Sequence, residues 1–230
     1  MSSSMFRKEL FLAVFFLCFS KLTIFAHTPK FRGRCSHVIS APVAPGNQEG
    51  PRYFSHHVGE LYGGGVVFHV FFDDQGNEQG LVVSLKDLST NSPWGRLRKD
   101  IPSCESTWNG VSNTASMMDA GALATDAVGL CEAYARGGQD DWYLPSIQEL
   151  NKLWNNLYDV NKTLSITPGA AELGPFPYWS STEKDANSAW NFGFDFGHAD
   201  IGGKENTDYV RAIRSYKVIG NSITGVDTDY

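Results

Sequence analysis

The chain has 230 residues, with 19 Lys and Arg against 25 Asp and Glu, a formal net charge of -6, and a high content of aromatic residues (13%) and glycine (23 residues). This length suffices for one domain with a full hydrophobic core, and the 42% of hydrophobic residues exclude a chain that is disordered throughout. The acidic balance disfavours nucleic acid as a partner, because binding to a phosphate backbone depends on clustered Lys and Arg.

The first 26 residues have the three parts of an export signal. Arg7 and Lys8 form a positive segment, Leu10–Phe19 is apolar without interruption, and Ala26 is a small residue suited to cleavage. The apolar run is too short to cross a bilayer, which takes about 20 residues. We therefore expect a secreted, periplasmic or cell-surface protein without a stable membrane span. The alternative is that the segment is retained as an anchor.

Removal of this signal changes both the charge and the cysteine count. Three basic residues and one acidic residue are lost, which lowers the net charge from -6 to -8. The remaining cysteines, Cys35, Cys104 and Cys131, allow at most one internal disulfide. We predict a Cys104–Cys131 disulfide, because Cys35 lies outside the globular part; the alternative is that Cys131 is an ordinary buried helix cysteine. The Cys and His spacings do not suggest zinc, so no metal and no cofactor is expected.

The predicted domain boundaries follow the glycine and proline content. Residues 27–60 form a predicted arm, since Ile39–Arg52 holds three Pro and two Gly and lacks a periodic apolar pattern. The globular domain is predicted over residues 61–218, with a C-terminal tail at 219–230.

The predicted domain opens with a β-hairpin. Val66–Phe72 and Leu81–Leu85 are runs of β-branched and aromatic residues, and the turn-forming residues Asp73–Asn77 lie between them.

Two helices are predicted in the middle of the chain. The first lies in the Ala-rich segment Ser112–Ala135, begins at about Gly121 after a broken turn, and ends before Gly137. The second begins with a capping box formed by Ser146 and Glu149. Its apolar residues have the i, i+3, i+4, i+7 spacing of one buried face: Leu150, Leu153, Trp154 and Leu157.

The last part of the predicted domain consists of strands and loops. A loop is expected from Tyr158 to Pro177, followed by a strand in PYWSST and a second strand over Ala189–Phe196. A turn-rich segment at His198–Asp208 and a final strand at Tyr209–Tyr216 complete it. An early hairpin, two helices and late antiparallel strands define an α+β domain. In the second of these strands, strict alternation places four aromatic residues on one face: Trp190, Phe192, Phe194 and Phe196.

Several of these segments together resemble a known family. GGVVFHV, GLVVSL, DWYLPS with the following EL, YWSSTE and VRAIR occur in the order found in the bacterial exported domain family typified by the C-terminal domain of the Legionella collagen-like adhesin. The resemblance runs from about Tyr62 to Tyr216. It implies a C-type-lectin-like fold, with two helices around a twisted antiparallel sheet, and binding at a cell surface or in the extracellular space.

For the collagen-like member, the resemblance also implies attachment to sulfated glycans. This chain has no collagen Gly-x-y repeats, and its acidity disfavours sulfated ligands. The calcium-lectin motifs Glu-Pro-Asn and Trp-Asn-Asp are missing from the sequence, so a calcium-dependent sugar site is not expected.

The residues of the matching motifs are expected to be mainly structural. Arg211 and Arg214 on the final strand are expected to pair with carboxylates such as Glu149 or Glu183, which favours fixed geometry over an anion site. Large aromatic side chains are expected to fill the core: Trp142, Trp179 and Trp190.

Ligand binding is predicted in the loops between Tyr178 and Thr207, which follow the aromatic strand where a binding loop would be placed. The alternative is a solvated turn, because turns favour Asp and Gly in any case. The candidate ligand-binding residues are Asn191, Asp195, His198, Asp200 and Lys204.

No catalytic residue is predicted. A nucleophile needs a base within hydrogen-bond reach, but Cys131 has no local His, and Ser180 and Ser181 lack the glycine pattern of a nucleophile elbow. We expect an adhesin-like binding module, not an enzyme, that recognises an extracellular glycan. The alternatives are a secreted virulence factor or envelope component that binds a host or cell-surface protein, and a cryptic hydrolase.

Overall fold

The computed structural model describes residues 53–96 and 98–219. The predicted export signal, residues 27–52 of the predicted arm with Cys35, and the predicted tail from residue 220 onward lie outside the described residues. Within the described residues the chain forms two β-sheets and four α-helices, which is a mixed α+β fold.

The strands of the described residues are β1 (Leu61–Tyr62), β2 (Gly65–Phe72), β3 (Glu78–Ser84), β4 (Ser89–Pro93), β5 (Pro177–Glu183), β6 (Ser188–Gly193), β7 (His198–Gly203), β8 (Thr207–Val210) and β9 (Ile213–Val218). The first sheet has the strand order β1-β2-β3-β9, and its neighbouring strands are all antiparallel. The second sheet has the order β4-β8-β5-β6-β7, in which β5 and β8 run parallel. The expectation of one twisted antiparallel sheet is thus corrected to two sheets in the described part of the chain.

The predicted hairpin of β2 and β3 is present, and Asp73 stabilises its turn. The Oδ1 atom of Asp73 accepts hydrogen bonds from the backbone N–H groups of Gln75 and Asn77 at 3.0 and 2.8 Å. Such side-chain bonds to nearby backbone are the reason that Asp is common in turns.

The final predicted strand, Tyr209–Tyr216, is two strands that belong to different sheets, so the prediction of one strand is wrong. The chain leaves β8 at Val210 and enters β9 at Ile213. Arg211 lies in this crossing with 0% exposure, where its guanidinium bonds the backbone oxygens of Ser84 and Ala171. The buried arginine anchors the segment at which the chain passes from one sheet to the other.

The described part of the chain contains four α-helices where two were predicted. They are α1 (Gly110–Asp119), α2 (Ala127–Glu132), α3 (Ile147–Asn155) and α4 (Leu157–Ile166), and a short 3-10 turn covers Pro102–Cys104.

The helix predicted from about Gly121 corresponds to α2, which begins at Ala127. A helix that was not predicted, α1, lies before it. Asn109 is its N-cap, and its side-chain oxygen accepts a bond from the backbone N–H of Ser112 at 3.0 Å. Gly121 does not start a helix, because its φ of +85° places it in the left-handed turn that follows α1.

The capping box of α3 contains the predicted pair. An Oε atom of Glu149 accepts a bond from the backbone N–H of Ser146 at 2.7 Å and another from the N–H of Gly110 at 3.2 Å. One carboxylate therefore joins the first turn of α3 to the first turn of α1.

The predicted loop after Tyr158 is wrong, because α4 occupies its first half. Leu157, Val160 and Leu164 have the spacing of a buried helical face, and Val160 and Leu164 lie in the core. Tyr158 and Ile166 are apolar but exposed, so the buried face of α4 is less distinct in the sequence than that of α3.

The aromatic strand and the turn-rich segment also differ from prediction. Strand β6 ends at Gly193, so the alternation stops there; Phe194 is buried, whereas Phe196 is 78% exposed in the following turn. His198–Gly203, predicted as turns, is strand β7 and pairs with β6 without a register shift.

The first sheet is buried on both faces and separates two hydrophobic cores. Because side chains alternate along a strand, Val66 joins one core and Val67 joins the other. The first core includes the apolar faces of α3 and α4, with Trp190 packed partly buried at its border. The second includes residues of α1 and α2 together with Trp142 and Trp179. Among the described residues, every helix is too short or too polar to cross a membrane.

Candidate functional site

An open groove of about 610 Å³ lies along strand β9, beside the loop that follows α2. We call it the Arg214 groove. Its lining comes from four separate stretches of the chain: Tyr62, Gly63, Gln79, Gln139, Asp141, Arg214, Ser215, Tyr216 and Lys217.

Asp141 holds the guanidinium group of Arg214, and both residues line the groove. Arg214 Nε donates to Asp141 Oδ1 at 2.6 Å, and Nη2 donates to Oδ2 at 2.9 Å. The Arg214 side chain is 8% exposed and that of Asp141 is 52% exposed. This two-bond pair fixes the orientation of the guanidinium plane. The bonds from Arg214 hold the pKa of Asp141 below its ordinary value of 3.8, so the carboxylate is charged at neutral pH.

The third guanidinium nitrogen, Arg214 Nη1, lies beside Gly63 at the groove. A Cβ atom at Gly63 would be 2.6 Å from Nη1, and Gly63 has a φ of +54°, which favours glycine. Residue 63 therefore leaves room beside Nη1. This nitrogen is an oriented, charged donor that the Asp141 pair does not use.

Two tyrosines form the aromatic wall of the groove. The rings of Tyr62 and Tyr216 meet edge to face, with centroids 5.1 Å apart, and His56 packs on Tyr62 with a centroid distance of 3.9 Å. The Tyr216 hydroxyl donates to Glu78 at 3.2 Å. Burial raises the pKa of Tyr216, and the neighbouring Glu78 raises it further, so the hydroxyl keeps its proton.

The other end of the groove is polar as well. Lys217 Nζ lies 2.8 Å from Asp73 Oδ2, and Gln79 Nε2 donates to the same oxygen at 2.9 Å. The bond from Lys217 is the main cause that lowers the pKa of Asp73. Lys217 and Gln79 are thus oriented by Asp73, the residue that also holds the β2–β3 turn.

The groove brings polar and aromatic groups together. Amide, guanidinium, ammonium and carboxylate groups lie beside aromatic rings in one concave surface, and such convergent polar groups orient small ligands. Within the described residues, no three His, Cys, Asp or Glu side chains are placed to share a metal ion.

The candidate ligand-binding residues from the sequence lie elsewhere, on the hairpin formed by β6 and β7. Asp195 and Asp200 are exposed and accept bonds from their own neighbours, Phe196 N–H at 2.9 Å and Ile201 N–H at 2.7 Å. His198 is exposed, and Asn191 is half-buried and donates to Asp208 at 2.7 Å. Asn191 and Asp200 are directly opposed across the two strands.

Lys204, the fifth candidate, is not available to a ligand, and this corrects its prediction as a binding residue. Its side chain is 0% exposed and forms an ion pair with Glu183, which is equally buried. Nζ also donates to the Lys99 carbonyl at 2.9 Å and lies 4.7 Å from the centre of a Trp94 ring. A buried ammonium needs these partners, because it has lost its water.

The predicted partners of the two arginines were wrong. Arg211 pairs with Asp87 at 2.9 Å, and Arg214 pairs with Asp141. Glu149 accepts bonds from the first turns of α1 and α3, and Glu183 pairs with Lys204. Neither carboxylate therefore pairs with Arg211 or Arg214.

The Cys104–Cys131 disulfide is not formed in the structure, in which both cysteines are free and buried. Cys104 Sγ donates to the Asn113 carbonyl at 3.4 Å. Burial raises the pKa of the Cys104 thiol to about 12 and raises that of Cys131 as well. Both behave as small hydrophobic side chains of the second core.

The sequence analysis did not identify most of the residues that line the groove as ligand-binding residues. Tyr62, Gln79 and Lys217 belong to no recognisable motif, and the groove brings them beside Asp141 and Arg214, which lie far from Tyr62 and Gln79 in the sequence. Asp141 and Arg214 were visible only as members of the DWYLPS and VRAIR segments, where an architectural role was expected.

Residues 84–214, more than half of the chain, match the Lcl C-terminal domain family. The chain belongs to this family. The matched range contains Gln139, Asp141 and Arg214, whereas Tyr62 on β1 and Gln79 on β3 precede it. The groove therefore combines the family region with residues that flank it in the sequence.

Among solved structures, the chain is similar to a fimbrial protein from Bacteroides ovatus, with 19% sequence identity and a TM-score of 0.43. The similarity covers 58% of this chain and 35% of that one, so the chain spans about a third of the fimbrial protein's length. A search of the curated proteins gave no match.

Proposed function

We propose that this protein is a secreted or surface-located bacterial binding module of adhesin type, which recognises a glycan in the Arg214 groove. Membership of the Lcl C-terminal domain family supports the surface, adhesin-like role. The choice of a glycan as the ligand is argued from the residues of the Arg214 groove.

One observation carries the glycan proposal: the fixed guanidinium of Arg214 lines an open groove, with Nη1 outside the Asp141 pair, beside the wall formed by Tyr62 and Tyr216. A sugar offers hydroxyl acceptors to such a donor, and its apolar ring face packs against an aromatic side chain. Gln139, which is half-buried, adds an amide that can both donate and accept. The site we propose is thus the groove, in place of the loops between Tyr178 and Thr207.

We further propose that the module acts by binding alone, without covalent chemistry. The raised thiol pKa values of Cys104 and Cys131 support this, because a thiol that stays protonated is a poor nucleophile. The hydroxyl of Ser180 is buried and donates to the Trp190 carbonyl at 2.6 Å, so it is engaged in the sheet. The C-type-lectin-like architecture and the export signal stay predictions from the resemblance and the sequence.

The test is a glycan array probed with the full chain, followed by calorimetry on the glycans retained. The array should include neutral, carboxylated and sulfated glycans. Arg214→Lys keeps the charge but cannot form the two-bond fork, so we expect affinity to fall by about tenfold or more, as expected for the loss of a charge-assisted hydrogen bond.

Arg96→Lys is the matched control, because Arg96 is exposed and lies outside the groove lining. It should bind like the wild type. A chain that binds none of the glycans would contradict the proposal, and so would an Arg214→Lys variant that folds and binds with unchanged affinity.

A further inference from the structure

In residues 53–96 and 98–219 the two sheets have four outer strands, and three of these are poor templates for an added strand. β1 has two residues, β4 ends in Pro93 and has a register shift, and β9 is already paired at Ile213 with Tyr143. β7 differs, because its six residues pair with β6 in unbroken register. It is the longest regular outer strand among the described residues whose free edge lacks a β-bridge.

The outward-facing backbone groups of β7 can be identified from its neighbour. The Trp190 carbonyl accepts a bond from Ser180 of β5, so the backbone of Trp190 points away from β7. Trp190 and Ile201 therefore form a non-hydrogen-bonded pair, in which each residue turns its N–H and C=O groups away from the other strand. For Ile201 this direction is the free edge of the sheet. By alternation, Ala199 and Ile201 present both groups at the free edge, and Gly203 presents its N–H, since its C=O accepts a bond from the Asn206 N–H at 2.9 Å.

The free edge is also open at the level of side chains. The first four residues of β7, His198–Ile201, are exposed, although successive side chains point to opposite faces. Of the outward N–H groups, that of Ile201 bonds the carboxylate of Asp200 at 2.7 Å. Because Asp200 is exposed, a cation of a binding partner can pair with its carboxylate in place of the Ile201 N–H.

The charged residues near the free edge of β7 indicate the charge of the partner that it binds. Asp195, Asp200 and Glu205 are exposed, whereas the cation of the same segment, Lys204, is buried against Glu183. The edge is thus acidic. A second copy would bring like charges together, and a segment with Lys or Arg would meet opposite charges.

We propose that the free edge of β7 binds an extended basic segment of a partner protein, which adds a sixth strand to the five-stranded sheet. The backbone of the segment pairs with Ala199, Ile201 and Gly203. A Lys or Arg side chain of the segment takes up the Asp200 carboxylate, which frees the Ile201 N–H for the new strand. This site is independent of the Arg214 groove.

The experiment measures binding of fluorescent peptides to the full chain by anisotropy. The probe is a ten-residue peptide in which Lys alternates with Val and Thr. One control peptide has Glu in place of Lys, and the other is methylated on alternate backbone nitrogens, so that it keeps its charge but loses one edge of hydrogen bonds. We expect saturable binding of the probe and binding at least about tenfold weaker for both controls.

Two variants locate the site. Ile201→Pro removes an outward N–H, and Asp200→Lys reverses the charge at the edge; each should weaken binding by about tenfold or more. Asp74→Lys, at an exposed position in the β2–β3 turn, is the charge-matched control and should bind almost as the wild type does. If Ile201→Pro does not fold, Asp200→Lys decides, since its side chain is at the surface.

Four results would overturn the proposal. The first is no binding of the Lys peptide, and the second is equal binding of the methylated peptide, which would indicate charge attraction alone. The third is binding that Asp200→Lys leaves unchanged. The fourth is a wild-type dimer in light scattering that Ile201→Pro dissolves, which would assign the edge to a second copy.

Discussion

The β6–β7 hairpin and the Arg214 groove both carry many polar side chains, yet only the groove is concave. On the hairpin, Asp195 and Asp200 bond the backbone of the next residue and point into solvent. At the groove, Asp141 bonds Arg214 and Asp73 bonds Lys217, and in each pair the partner comes from a distant part of the chain. Polar residues that are close in sequence therefore satisfy one another locally, whereas those that meet through the fold can orient groups for a ligand.

The strand geometry explains this difference. The side chains of an outer strand diverge to the two faces of the sheet, so β7 presents an edge and no cavity. At β9, the loop carrying Gln139 and Asp141 lies beside the sheet and forms the second wall. The hairpin thus suits an extended chain, and the groove suits a compact ligand.

Lys204→Met gives the largest expected effect. The substitution leaves Glu183 buried without its cation, and breaking a buried pair costs about 3–5 kcal/mol in the free energy of unfolding. Urea unfolding of the full chain measures it. Lys217→Met, which removes an exposed lysine of the groove, is the control and should cost less than about 1 kcal/mol. Equal stabilities for the two variants would contradict the burial of Lys204.

Asp141→Asn is expected to have the next largest effect, and on binding more than on stability. The variant loses the charge that orients Arg214, so glycan affinity should fall by about tenfold, as for the loss of a hydrogen bond to a charged group. Stability should change by less than about 1 kcal/mol, because the carboxylate is half exposed. Calorimetry and urea unfolding separate the two quantities. Unchanged affinity would remove Asp141 from the site.

The pH dependence of the Arg214–Asp141 pair is a smaller effect with a defined sign. The folded-state pKa of Asp141 lies below its ordinary value of 3.8, so the pair stabilises the fold fully above that value. The contribution is lost as the pH falls through the lowered pKa. Thermal unfolding from about pH 6 to about pH 2.5 should therefore decline less steeply for Asp141→Asn than for the wild type. Parallel curves would mean that the pair does not affect stability.

His198→Ala should have the smallest effect of all. His198 is exposed on the hairpin, and surface substitutions of this kind change stability by less than about 0.5 kcal/mol. Glycan affinity should be unchanged as well, since His198 is not part of the groove lining. A large loss of glycan binding in this variant would return the site to the hairpin.

Much of the local structure could be predicted because its causes are local. The turn at Asp73, the capping pair of Ser146 and Glu149, and the burial of Trp142 and Trp179 all follow from residue type and short spacing. The prediction failed where long-range contacts outweigh local pattern. The run from Tyr209 to Tyr216 has a continuous strand pattern, but the buried bonds of Arg211 divide it between two sheets.

The amino-acid sequence alone was sufficient for the α+β class, for the family resemblance and for the acidic charge that disfavours polyanionic ligands. The partners of Arg211, Arg214 and Lys204, and the groove itself, depended on the folded chain. Ion pairs and concave sites join residues that are far apart in sequence, as when Arg214 meets Asp141. The spacing of residues along the chain does not predict such a contact, because the packing of the sheets and helices brings the two partners together.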